Sequence, residues 1–199
     1  MMLIEETKVP DAAYPVTAFR DHLQIGRGFA DDAAQDALLL PILKAAVAKI
    51  EGETAKVLLS RRYKYVLAAW RDLARQSLPV APVNAIVSLS VTDMGGGEEV
   101  APTDGYRLAP DRHRPDIMWL GWTLPTIPVG GTAEIVFDAG FGDNWSDVPA
   151  DLAQAVLMLA AHYHENRSAT GDRAHALPQG VASLIHPWKR FRIFGGRGR

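Results

Sequence analysis

Apolar and polar residues change their period several times along this chain, and each change marks an element. Residues 1–16 hold no lasting period, and Pro10 and Pro15 disfavour helix there. Thr17 is a candidate N-cap for a short helix over 18–25, with Gly26 as its stop. From Asp31 to Glu51, Leu39, Ile42, Leu43, Ala46 and Ile50 fall on one side of a helix. Pro41 lies inside that pattern and predicts a kink or restart, and Gly52 predicts the end.

The period then drops to two. Val57 to Trp70 reads as one or two strands, with a helical alternative over 66–76. Val83, Ala85, Val87, Leu89 and Val91 alternate with Asn84, Ser88, Ser90 and Thr92, which predicts a half-buried strand whose polar face only Ile86 breaks. Asp93 to Glu98, with three glycines, predicts a hairpin turn, and Tyr106 and Leu108 begin a short strand after it. Residues 110–131 are rich in Pro and Gly yet carry Trp119, Leu120 and Trp122. A second clear strand follows from Ala133 to Phe141.

The strongest helix signal spans about 148–167, with Asp147 or Val148 as cap, Pro149 in the first turn and Asp151 suited to the helix dipole. Its interior is apolar nearly all round, so it is expected to be covered on more than one side. A last helix over about 180–188 leads to Trp188-Lys189-Arg190-Phe191-Arg192-Ile193-Phe194 and a Gly/Arg end. Together these elements predict an α+β fold, a mainly helical body with a small antiparallel β-sheet. Residues 1–194 form one domain, and 195–199 a flexible basic tail.

Composition narrows the function. At 199 residues, 48% hydrophobic and 22% charged, the chain has the balance of a folded globule. It has no apolar run long enough for a membrane span, and its acidic N-terminus lacks a signal-peptide pattern. With no cysteine, disulfides, thiolate nucleophiles and cysteine-ligated metals are excluded. The net charge of -2 hides an asymmetry: residues 151–199 hold seven Lys and Arg against three acids, and no acid follows Asp172. A basic end on an acidic body suits a negative protein surface or nucleic acid.

Catalytic chemistry finds no foothold. Gly95-Gly96-Gly97 lacks the Lys and Ser/Thr of a phosphate loop, and no G-x-S-x-G elbow occurs. His162 and His164 lie about 200° apart on a helix and cannot share a metal ion. His22, His113, His175 and His186 are scattered, and the charged loop Asp111 to Asp116 reads as a solvated connection. A small enzyme with a site near His113 has only residue types to support it. No catalytic residue, metal or cofactor is assigned.

The order of segments resembles the head-to-tail connector (adaptor) family of long-tailed bacteriophages and phage-derived gene transfer particles. The residues that carry the likeness are the Pro-bracketed Leu78 to Ile86, then Ala139-Gly140-Phe141-Gly142-Asp143, and Val148-Pro149-Ala150-Asp151-Leu152. His162 to Arg167, Leu177-Pro178-Gln179-Gly180-Val181 and Trp188 to Arg192 complete it. The resemblance implies a non-enzymatic virion component, about a dozen copies of which form a ring between a portal protein and a tail-side stopper. Double-stranded DNA would pass through the lumen without sequence-specific binding, with assembly in the bacterial cytoplasm and no membrane partner. It also implies a portal-contacting end, which here is Trp188, Lys189, Arg190, Phe191, Arg192, Ile193, Phe194, Arg197 and Arg199. A ring needs two different faces per subunit. The over-apolar helix and the aromatic loop supply Val156, Leu159, Tyr163, Trp119 and Trp122 as candidates for the ring or a partner. The alternative is a nucleic-acid-binding module using the basic end.

Overall fold

A computed structural model describes residues 1–25, 32–167 and 177–189, and its apolar side chains collect into two cores. The first is helical. Helix α1 (Val16–His22), α2 (Asp32–Thr54), α3 (Ala150–Glu165) and α4 (Gln179–Ile185) surround Phe19, Leu43, Ile50, Leu152, Val156, Leu159, Val181 and Ile185. On α2, Leu39, Leu43, Ala46 and Ile50 are buried and Ile42 is half-buried, so the apolar side read from the sequence is the side that packs.

The second core lies between two antiparallel sheets. The larger runs β1 (Met2–Glu5), β2 (Arg61–Leu67), β8 (Thr132–Ala139), β4 (Val83–Thr92), β5 (Glu98–Val100) in spatial order. The smaller runs β3 (Arg75–Ser77), β7 (Asp116–Trp119), β6 (Tyr106–Ala109). Tyr63 lies opposite Phe137 and Tyr65 opposite Ile135, and all four are buried against Tyr106, Ile117, Leu78 and Leu124. The fold is therefore α+β, but the body is not mainly helical. Several strands are only three or four residues long, and β7 sits inside the Pro/Gly-rich stretch expected to be loop. Segments that short carry too little alternation to be read from sequence.

Other boundaries also differ from expectation. Helix α1 begins at Val16, and the Phe19 amide donates to the Pro15 carbonyl at 2.9 Å, so Thr17 is inside the first turn and does not cap it. Helix α2 continues without interruption through Pro41 and past Gly52, so Pro41 does not restart it. It ends at Ala55, whose φ is 54°, where the Thr54 hydroxyl donates to the Ile50 carbonyl and accepts the Lys56 amide. Residues 66–76 are not helical. Asp147 closes a capping box on the turn Trp145–Asp147, and α3 starts after Pro149. In β4, two register shifts lie between Val83 and Ala85 and between Ile86 and Ser88. They leave Ala85 and Val87 exposed and turn Ile86, the residue that broke the polar face, toward the core. The stop at Gly26 lies outside the described residues.

The two cores meet at 55–61. Lys56 bridges to Ala81, Leu59 bridges to Gly142, and the Ser60 amide donates to the Gly142 carbonyl at 2.8 Å. Gly140 has φ 141°, and a Cβ there would come within 2.5 Å of the Ser60 Cα, so this crossing requires glycine. Glu51, at the end of α2, accepts the Leu58 amide at 2.8 Å and an Arg61 guanidinium N–H, and Arg61 also reaches Glu5 at 3.2 Å. Burial pushes the Glu51 carboxyl up from its ordinary range, against the pull of Arg61.

Candidate interaction surfaces

The root of the basic end is built from both cores. The turn His186–Trp188 follows α4 and places Trp188 in the helical core, where it is 6% exposed. Its indole N–H donates to Asp151 at the start of α3 at 2.6 Å, and Phe141 meets the ring edge-on at 5.5 Å. The Arg112 guanidinium lies 4.1 Å from the ring centroid. Lys189 then donates to Glu53 of α2 at 2.9 Å, and hydrogen bonds from Lys49 and Lys189 hold the Glu53 carboxyl below its ordinary range.

Trp188 is thus covered by its own protomer. The expectation that its indole meets a portal needs correction, because burial inside the chain leaves little ring to offer. Arg190 to Arg199, including Phe191, Arg192, Ile193, Phe194 and Arg197, lie outside the described residues.

Arg112 is aimed by its loop. The Asp111 carboxylate accepts the amides of His113 and Arg114 at 2.7 and 2.6 Å, Arg114 Nε donates to the Ser77 hydroxyl at 2.9 Å, and His113 Nδ1 sits 3.3 Å from Lys56 Nζ. The loop between β6 and β7, expected to be a solvated connection, therefore clasps the junction of the two cores. Lys56 is 1% exposed, and sequence reading missed it because a lone Lys between Ala55 and Val57 carries no periodic signal.

The ring or partner candidates separate. Val156 is fully buried and Leu159 is 1% exposed, both inside the helical core, so a neighbouring subunit has no access to them. The wide apolar coverage of α3 is met by α1, α2 and α4. Tyr163 is half-buried near the end of α3. Trp119 is half-buried and stacks on Tyr106 at 6.4 Å, while Trp122 is 98% exposed. Leu120 and Leu73 are exposed beside it: the Leu124 amide donates to the Leu73 carbonyl at 2.7 Å, and the Trp119 amide to Ala74 at 2.9 Å. A cleft of about 290 Å³, lined by Glu99, Ala101, Pro102, Trp119 and residues 123–126, opens next to this apolar group. Among the described residues no group of His, Asp and Glu side chains is placed to hold a metal ion, and exposed Trp122, Leu120 and Leu73 make this a candidate contact surface.

No family model and no curated protein matches the sequence. Solved structures do. A chain in the neck of an empty GTA particle, computed with C6 symmetry, is 51% identical with a TM-score of 0.90, and the match covers 100% of both chains. A chain in the virion of a native gene transfer agent (GTA) particle is 51% identical with a TM-score of 0.86, again over 100% of both chains. One in the neck of a native GTA particle, computed with C12 symmetry, is 48% identical with a TM-score of 0.84 over the same full coverage.

Proposed function

This chain belongs to the family of gene transfer agent neck proteins, and from that premise we propose that it is the connector (adaptor) subunit, the ring between a portal protein and a tail-side stopper. About a dozen copies form that ring, double-stranded DNA passes through its lumen without sequence-specific binding, and the subunit performs no reaction. Assembly takes place in the bacterial cytoplasm. The full-length likeness to neck chains is the observation that carries this reading, and the C12 symmetry of one of those necks supports the copy number.

The tail supplies the portal contact. Trp188 and Lys189 fix where the segment leaves the body, and Arg190, Phe191, Arg192, Ile193, Phe194, Arg197 and Arg199 offer aromatic and guanidinium anchors beyond it. Exposed Trp122, with Leu120 and Leu73, supplies a second contact to a neck partner. Ending the chain after Lys189 keeps the root intact. The shortened protein is expected to fold normally and to be lost from purified particles and from mixtures with portal. Normal portal binding by the shortened chain would overturn this role. Salt-sensitive duplex binding that disappears with the same deletion would favour the nucleic-acid module instead.

A further inference from the structure

The outward face of α2 is apolar, and among the described residues nothing covers it. Leu38, Pro41, Ala45, Ala48 and Gly52 recur there at i, i+3, i+7, i+10 and i+14, the spacing of a seam between helices. Leu38 is 72% exposed, the other four are also exposed, and nothing approaches the Cβ position of Gly52. The buried residues Leu39, Leu43, Ala46, Val47 and Ile50 face the opposite way. A helix with apolar residues on two opposite sides has a second side that packing within one protomer leaves open. Lys44 and Lys49 flank the seam, but Lys44 pairs with Asp11 at 2.7 Å and Lys49 with Glu53 at 2.9 Å. The seam itself holds no charge over about 21 Å of helix.

A different kind of observation falls on the same face. Pro41 has no N–H to give the Ala37 carbonyl one turn earlier, and Ala37 is exposed. An acceptor is therefore left within an apolar surface, ready for a donor from an incoming chain.

We propose that this face of α2 is the contact with the neighbouring copy of the same chain, an inference that rests on the ring reading above. A closed ring brings a different face of the next subunit to this seam at every position, so the seam is permanently covered. Small side chains allow a neighbouring backbone to approach closely. DNA is a poor occupant, because phosphate contact needs unpaired cations and both flanking lysines are already paired.

The test compares particles made with the wild-type chain and with Ala45→Glu/Ala48→Glu. Both positions are exposed and Glu is a good helix former, so the isolated variant is expected to keep its circular dichroism and melting temperature. Its incorporation into necks is expected to fall at least about tenfold, since the added carboxylates would be buried unpaired. In parallel, benzoylphenylalanine at position 38 is irradiated in assembled particles, and a covalent dimer of this chain is expected. Wild-type incorporation by the folded double variant, or a cross-link to another protein or to DNA, would overturn the inference. Should the double variant fail to fold, the cross-link alone decides. Absence of the wild-type chain from necks would instead overturn the ring reading.

Discussion

Arg112 and Trp188 are 76 residues apart in sequence, yet the guanidinium of one lies over the indole of the other at 4.1 Å. Arg112 lies on the loop between β6 and β7 of the smaller sheet and Trp188 in the helical core, so the contact ties that loop to the helices at the point where the basic end leaves the body. Truncation of Trp188 to Ala is expected to cost about 3–5 kcal/mol, as for other buried aromatic residues. Trp188→Phe keeps most of the packing and loses the Asp151 hydrogen bond, for about 1–3 kcal/mol. Arg112→Ala, on an exposed loop, is expected to cost only about 0.5–1 kcal/mol. Denaturant unfolding of the three variants checks this order, and equal losses would disprove it.

Two glutamates near the end of α2 respond to pH in opposite directions. Glu51 has a raised carboxyl pKa, chiefly through burial, so the folded state holds its proton above the ordinary value of 4.5. The stability associated with that proton is fully present below 4.5 and is lost as pH rises through the folded value. Glu53 has a lowered pKa, chiefly through its hydrogen bond from Lys49, so its contribution is present above 4.5 and is lost as pH falls through the folded value. Stability measured against pH for Glu51→Gln and Glu53→Gln is expected to flatten on opposite sides of 4.5. Parallel profiles for the two variants would show that the cause is elsewhere.

Glu51→Ala differs from Glu51→Gln because of Arg61. The Arg61 side chain is 9% exposed, and Glu51 is one of its two acidic partners. Leaving a buried guanidinium partly uncompensated costs about 3–5 kcal/mol, reduced here by the remaining contact to Glu5. Glu51→Gln retains an acceptor for Arg61 and for the Leu58 amide, so its loss is expected to be smaller. Thermal unfolding of the two variants at neutral pH provides the comparison.

Wherever one period lasted long enough, the chain could be read directly. The packing side of α2 is carried by Leu39, Leu43, Ala46 and Ile50, and the alternation Ala133, Ile135, Phe137, Ala139 marks the inner face of β8. Reading failed where two elements shared one strip of sequence or where tertiary contacts reset the phase. Two register shifts exchange the exposures of Ala85, Ile86 and Val87, and no local pattern announces them. A helix with a wide apolar surface is covered on more than one side, and for α3 that cover is the helical core of its own protomer. On α3, Leu152, Val156 and Leu159 are buried and Leu157, Met158 and Tyr163 half-buried, whereas on α2 Leu38, Ala45 and Ala48 are exposed. Alanine-rich faces look bland in sequence because small residues suit buried and exposed positions equally. Trp188 is illegible for a related reason: next to Lys and Arg it looks like part of a tail, and the contacts with Asp151 and Phe141, distant in sequence, make it core.

Gly140 lies where β8 leaves the sheet and crosses 59–60. Any side chain there would need φ near 141° and would collide with the Ser60 backbone, so two penalties act together. Gly140→Ala is expected to lower stability by roughly 2 kcal/mol or more. Gly52→Ala, in open space on α2, is expected to be neutral or stabilising by up to about 1 kcal/mol. The pair separates conformational need from glycine content, and a reversed order in melting temperature would contradict it.

Trp122 presents the opposite case to Trp188. Its ring is 98% exposed and Leu120 beside it is 59% exposed, so removing both leaves the protomer core unchanged. Trp122→Ala is expected to shift folding stability by no more than about 0.5 kcal/mol. An exposed indole on a loop held by the Leu124 and Trp119 backbone bonds is instead suited to act as a binding anchor, where truncation costs about 2 kcal/mol, or roughly thirtyfold in affinity. Particles carrying Trp122→Ala are therefore expected to assemble poorly from a subunit that melts normally. A variant that unfolds early, or one that melts and assembles as the wild type does, would remove this loop from the contact surface of the neck.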